Sequence, residues 1–149
     1  MAKRYMVALV AVVAAGVLGA RRGEADPPAG RYTITDSTVV DTETTLMWQR
    51  HVDSGVLTAA QAKTYCTGLV MGGHDDWRLP KRGELLTIVD IGVAQPSIDA
   101  KAFPNSPSTS YWTSSPVSGY PGGAWSVNFG YGSTLSTDVS DANRVRCVR

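Results

Sequence analysis

The side chains able to do chemistry in this sequence are few. There are two cysteines, Cys66 and Cys147, two histidines, His51 and His74, and two close carboxylate pairs, Asp75 with Asp76 and Asp138 with Asp141. Thiolates act as nucleophiles and soft-metal ligands, imidazoles as bases, and clustered carboxylates as ligands for hard cations. The spacing argues against each use. Cys66 and Cys147 are far too widely separated for a CxxC redox pair or a zinc knuckle, so they read first as a structural disulfide, with two unrelated buried thiols as the alternative. No Ser/His/Asp or Cys/His constellation can be assembled around His51 and His74, and His74 in GGHDDW reads as a turn residue. The carboxylate pairs read as turn residues too. No catalytic residue, metal ligand set or cofactor is expected.

Four tryptophans invite a sugar-stacking role, yet Trp48, Trp77, Trp112 and Trp125 each sit on an inward face of an expected element and read as core. Arg78, between Trp77 and Leu79, reads as a half-buried clamp to Asp76, Glu84 or loop carbonyls, because a desolvated guanidinium needs such partners. Tyr120, Asn128, Tyr131, Asp138, Asp141, Asn143 and Arg144 remain as candidate ligand-binding residues, since exposed aromatic and short polar side chains suit sugar or protein contact.

The elements that must position these groups begin with an export signal. Lys3 and Arg4 precede a charge-free apolar run from Val7 to Ala20, shorter than the roughly 20 residues that span a bilayer, and small residues follow. Cleavage is expected after Ala25, with Ala20 as the other acceptable site, and no stable membrane span after it. Residues 1–25 then form a signal peptide, 26–30 a short lead-in and 31–149 one domain, in a chain of 149 residues with 43% hydrophobic and 18% charged content. The protein is expected in the periplasm or outside the cell, where a disulfide persists. Loss of residues 1–25 removes four of the 14 bases and one of the 13 acids, leaving 10 against 12, so the formal charge moves from +1 to −2. No basic stripe survives to suggest nucleic acid. A polyanion would be left with local clusters such as Lys81 with Arg82, or Arg144, Arg146 and Arg149.

Along the domain, RYTIT, TVVD and LMWQ read as a hairpin or meander. Thr58 with Gln61 forms a capping box, opening a helix to about Val70 whose apolar stripe is Ala59, Ala62, Cys66, Leu69 and Val70, stopped by Gly72-Gly73. Pro80 pre-sets a second helix from about Lys81 to Val89. Residues 90–120, rich in Pro, Ser, Gly and Asn, read as long surface loops interrupted by a strand at YWTSS. Trp125, Val127 and Phe129 alternate in a strand, and NRVRCVR closes the chain as another, with Val145 and Cys147 on one face.

DTETTLMWQR, AKTYCTGL, GGHDDWRLPKRGELLTIVD, YWTSS, AWSVNFGYG and VRCVR, in that order, make the chain resemble the Lcl C-terminal domain family over almost the whole mature sequence. The resemblance implies an α+β, C-type-lectin-like fold, with two helices packed on small antiparallel sheets and one disulfide joining the first helix to the last strand. It does not imply a calcium lectin. The usual Glu-Pro-Asn or Gln-Pro-Asp tripeptide is replaced by Gln95-Pro96-Ser97, and Trp125 is followed by Ser126 and Val127. Formylglycine-generating enzymes share the fold class, but bridged cysteines leave no thiolate for their chemistry. The expectation is therefore an exported, non-enzymatic binding module of the bacterial envelope that recognises carbohydrate or protein without calcium. A structural or assembly domain of the envelope is the alternative.

Overall fold

The computed structural model describes residues 30–53 and 55–149; the expected signal peptide and the lead-in up to residue 29 lie outside the described residues. These residues fold as α+β, with two three-stranded antiparallel sheets and two helices. The first sheet is a meander of β1 (Tyr32–Ile34), β2 (Thr38–Asp41) and β3 (Met47–Gln49), in that spatial order. Its central strand is rich in β-branched residues and buries Val39 and the Asp41 side chain. Arg31 forks onto Asp41 at 3.1 and 2.8 Å and donates to the Thr87 carbonyl at 2.6 Å. Burial pushes the Asp41 carboxyl up, but the bonds from Arg31 and the Glu43 N–H outweigh it and leave the group below the ordinary carboxylate value.

Helix α1 (Ala59–Thr67) opens with the expected capping box: Thr58 Oγ1 accepts from the Gln61 N–H at 3.4 Å, and Gln61 Oε1 accepts from the Thr58 N–H at 2.9 Å. It stops at Thr67 rather than near Val70. Gly68 closes the last turn through its N–H to the Thr64 carbonyl at 3.0 Å, while Gly72 and Gly73, at φ +62° and +80°, shape the following turn. Ala62 and Cys66 are fully buried on the helix, whereas Val70, expected on the same stripe, is 75% exposed. Helix α2 (Arg82–Leu86) is also shorter than its apolar pattern suggests. Leu85 on it and Ile88 in the turn beyond are both buried.

The second sheet runs β4 (Ser110–Val117), β5 (Tyr120–Asn128) and β6 (Ser133–Asp138), again in chain order. A tight turn through Ser118 and Gly119, the latter at φ +76°, joins β4 to β5. The register slips on both sides of Pro116, which has no N–H to give the ladder. Residues 90–109, expected as surface loops, send Ile98, Ala102 and Phe103 into the core beside Trp48, Leu85, Tyr111, Val127 and Phe129. A second cluster holds Ala62, Cys66, Trp77, Leu79, Trp112, Val145 and Cys147.

The C-terminal segment, expected as a strand, is extended but joins its neighbours through isolated bridges: Asn143 with Leu57, Arg144 with Tyr111, and Val148 with both Trp48 and Arg78. Cys147 in this segment is bonded to Cys66 with Cα atoms 5.5 Å apart, and no free cysteine remains among the described residues. The bridge thus runs from the first helix to a segment beyond the last sheet strand.

The bond closes a span of 81 positions. The chain-entropy account assigns such a loop about 4 to 5 kcal/mol, or a melting temperature roughly 10–20 °C higher than without it. Replacing Cys66 and Cys147 together by Ser should lower the melting temperature, read by circular dichroism, by about that amount. An unchanged melt would remove the bond from the account of stability.

Candidate functional site

A cleft of about 660 Å³ opens between α1 and the second sheet. One wall is Ala59, Lys63 and Thr67, one helical turn apart on α1, with Ala60 beside them. Arg78, Leu79 and Lys81, on the stretch leading into α2, form another. β4 supplies Thr113, Ser114 and Pro116, the start of β5 supplies Pro121, Gly123 and Ala124, and Val139 closes the end. Small side chains at these positions leave the space open: alanine and glycine on facing elements fill less than the gap between helix and sheet.

The polar groups of the cleft are mostly committed. Thr113 Oγ1 donates to the Trp125 carbonyl at 2.6 Å and Ser114 Oγ to the Pro80 carbonyl at 3.2 Å. Arg78 forks onto Glu84, both oxygens at 2.8 Å, and Glu84 also accepts from the Lys81 N–H at 2.7 Å, pinning the first turn of α2 to the cleft wall. The Arg78 guanidinium holds the Glu84 carboxyl below its ordinary value. Lys63 and Lys81 are exposed, and among the described residues no ion pair engages either. The lining contains no Cys, His, Asp or Glu. It therefore offers apolar contact and positive charge to a bound group, and no nucleophile–base pair.

Most of the sequence-level candidates fall elsewhere and do not converge. Tyr120 donates to Asp138 across the β5–β6 pair at 2.8 Å, and its ring lies over Gly123, where a Cβ would collide with it. Ser140, through its hydroxyl and N–H, and then Tyr120 hold the exposed Asp138 carboxyl down to about 2. Asp141 follows in the same turn, its N–H on the Asp138 carbonyl. This group adjoins the cleft, since Pro121 and Val139 are the next residues along the chain.

Asn128 and Tyr131 stand at the other end of β5. From Gly123, opposite Asp138, to Asn128, opposite Ser133, is about 17 Å of strand. Asn128 is used internally, donating to Ser110 Oγ and accepting from the Gly130 N–H, while Tyr131 is 79% exposed. Asn143 and Arg144, expected on the exposed face, are half-buried in backbone pairing with Leu57, Ser110 and Trp112. The Asn143 Nδ2 and Arg144 Nε atoms are enclosed without a partner.

Trp48, Trp77 and Trp112 are buried, Trp77 donating to the Met71 carbonyl and Trp112 to that of Leu57. Trp125 is only half-buried, with the Arg82 guanidinium 4.5 Å from its ring centre. Asp76, a possible partner for Arg78, instead takes the Arg149 fork at 2.6 and 3.1 Å. The basic triplet Arg144, Arg146 and Arg149 is no surface patch, because Arg146 is fully buried. His51 contacts the Asp36 carbonyl at 3.2 Å, and His74 pairs its backbone with Met71. Among the described residues no group of three or more His, Cys, Asp or Glu could hold a metal ion, and no helix is long and apolar enough to cross a membrane.

Of the cleft lining, the sequence reading names Arg78 as a clamp, Lys81 as part of a local basic cluster and Ala59 on the helix stripe, and none of the seven candidate ligand residues lines it. The available signal was the repeat of Ala59, Lys63 and Thr67 beside the buried Ala62 and Cys66, together with the run of small residues from Gly122 to Ala124. A model described as the Lcl C-terminal domain matches residues 37–149, which include both cysteines, both helices and the whole cleft lining. No curated protein matches the chain.

The Arg78–Glu84 fork has a pH signature. Because the folded Glu84 carboxyl titrates below its ordinary value of 4.5, its contribution to stability is complete above that value and is lost as pH falls through the folded one. Urea unfolding between neutral pH and pH 3 should show a fall in stability on acidification that is shallower in Glu84→Gln. An equally steep fall in the variant would assign the acid sensitivity to other carboxylates.

Proposed function

The chain belongs to the Lcl C-terminal domain family, and from that membership we propose that it is an exported, non-enzymatic binding module of the bacterial envelope with a C-type-lectin-like architecture. The observation that carries this reading is the cleft. Its volume of about 660 Å³ lies within the range of ligand sites, and its walls are held by a disulfide-anchored helix and a hydrogen-bonded sheet. Sites on such elements are held more precisely than sites on loops.

The lining favours a protein ligand over a carbohydrate. Sugar sites combine an aromatic face with a dense set of free hydrogen-bonding side chains. This cleft has no aromatic lining residue, and its three hydroxyls, on Thr67, Thr113 and Ser114, already donate to backbone carbonyls. An apolar protein segment needs neither. The exposed Tyr131 ring at the far end of β5 supports carbohydrate as a second reading, with stacking there rather than in the cleft. Recognition without metal follows from a lining with no carboxylate.

Ala60, exposed on α1 and lining the cleft, offers a direct test. Pull-downs from envelope protein fractions and a glycan array, both in EDTA, should give saturable binding to one ligand. Ala60→Trp should abolish protein binding at an unchanged melting temperature, and Tyr131→Ala should leave it intact. A folded chain with no saturable binding to either ligand class would overturn the reading. A stoichiometric partner that co-purifies and is insensitive to Ala60→Trp would move the assignment to envelope assembly.

A further inference from the structure

The cleft lining carries three cationic side chains and no carboxylate. Arg78 is neutralised locally by its two bonds to Glu84. Among the described residues Lys63 and Lys81 are in no ion pair, Glu84 feeling Lys81 only at longer range; both are exposed and each belongs to a different wall. Between them lies an apolar surface made of Leu79, Pro116, Pro121 and Ala124. Without residues 1–25 the rest of the chain is net acidic by sequence, so the positive charge here is a local feature rather than part of a general basic surface.

Resting on the reading that the cleft is the binding site, we infer that its partner is a protein segment that places apolar side chains in the cleft and acidic side chains beside Lys63 and Lys81. Charge complementarity selects the sign. A basic segment would set like charges against Lys63 and Lys81, a cost that suppresses wrong partners, whereas Asp or Glu would give each lysine a direct ion pair. The burial of apolar side chains supplies most of the affinity, and rim charges of this kind govern selectivity, association rate and salt dependence.

The test begins with a random peptide library displayed on phage and panned against the folded full chain, with Ala60→Trp as the filled-cleft control. Enriched peptides, fluorescein-labelled, are then titrated by anisotropy against the wild type, Ala60→Trp and the double variant Lys63→Glu/Lys81→Glu, with thermal melts to verify folding. The expected result is enrichment of apolar residues flanked by Asp or Glu. Binding should be lost in Ala60→Trp, weaken about tenfold in the double charge reversal, and recover in that variant when the peptide acids are changed to Lys. Enrichment of neutral or basic peptides, or indifference to the charge reversal while Ala60→Trp still abolishes binding, overturns the acidic partner and leaves the cleft as the site. Peptide binding that survives Ala60→Trp overturns the cleft itself. Decanoate binding without peptide enrichment assigns the cleft to an acyl carboxylate and overturns a protein partner.

Discussion

Residues 143–149 hydrogen-bond to a strand of each sheet, β3 and β4, and to the connecting stretches around Leu57, Arg78 and Ser106. Asn143 exchanges backbone bonds with Leu57, Arg144 accepts from Trp112 and donates to Ser110 on β4, Arg149 exchanges bonds with Met47 on β3, and Val148 does so with Arg78. The Gln49 N–H reaches the Cys147 carbonyl, and the Gln49 side-chain oxygen accepts from the Cys147 N–H. The two sheets are each a local meander and share no ladder. The terminal segment is therefore what couples them, and the disulfide attaches α1 to the same segment. Seven residues, 143–149, thus tie the first half of the domain to the second through strongly non-local contacts.

Arg146 shows what this coupling demands. Its side chain is fully buried with no carboxylate beside it, and burial pushes its pKa down to about 10, still charged at neutral pH. It is held by the carbonyls of Gln49 and Arg50 at 2.6 and 2.7 Å, by Ser106 Oγ at 2.7 Å, and by the Phe103 ring 4.7 Å away. Those partners come from the end of β3 and from the stretch before β4, so one guanidinium gathers two distant segments around the terminal one. The Arg146 Nε atom is enclosed with no partner among the described residues, so the buried charge carries a desolvation cost that its carbonyl and hydroxyl contacts only partly offset.

Much of this frame could be read from residue patterns. Thr58 with Gln61 marked the start of α1, Cys66 fell on its buried stripe, and the alternation of Val127 and Phe129 marked β5, because these signals are local and periodic. Endings were less legible. Gly68 closes α1 with an ordinary right-handed conformation, so the more conspicuous Gly72-Gly73 pair drew the boundary too far. Residues 90–109 looked like surface loop by composition, yet Ile98 and Phe103 fill the core, since a few apolar anchors suffice to bury an irregular segment. The cleft was the least visible feature. Alanine, glycine and proline carry no chemical signature, and Lys63 and Lys81, 18 positions apart, share a site only once α1 and the stretch before α2 are brought together. The candidate ligand residues were chosen by type and failed to converge because β5 separates them along its length.

The cleft also explains why the bond that identifies the frame bears on recognition. A helix as short as Ala59–Thr67 is marginal in isolation, and its narrow apolar stripe of Ala62 and Cys66 orients it only loosely about its axis. Ala62 and Cys66 face the core, and the bond from Cys66 to Cys147 fixes that direction. Lys63 follows Ala62 by one residue, roughly 100° around the helix, so the same bond that points Cys66 inward turns Ala59, Lys63 and Thr67 toward the second sheet. On the other wall the Arg78–Glu84 fork sets the start of α2, and Arg78 itself is paired with Val148, one residue beyond Cys147. Both walls are thus referenced to the terminal segment, so their separation is a property of the covalent and hydrogen-bonded frame. A segment of the proposed kind would meet a site whose width is already set, so that little of its binding free energy would go into ordering the walls.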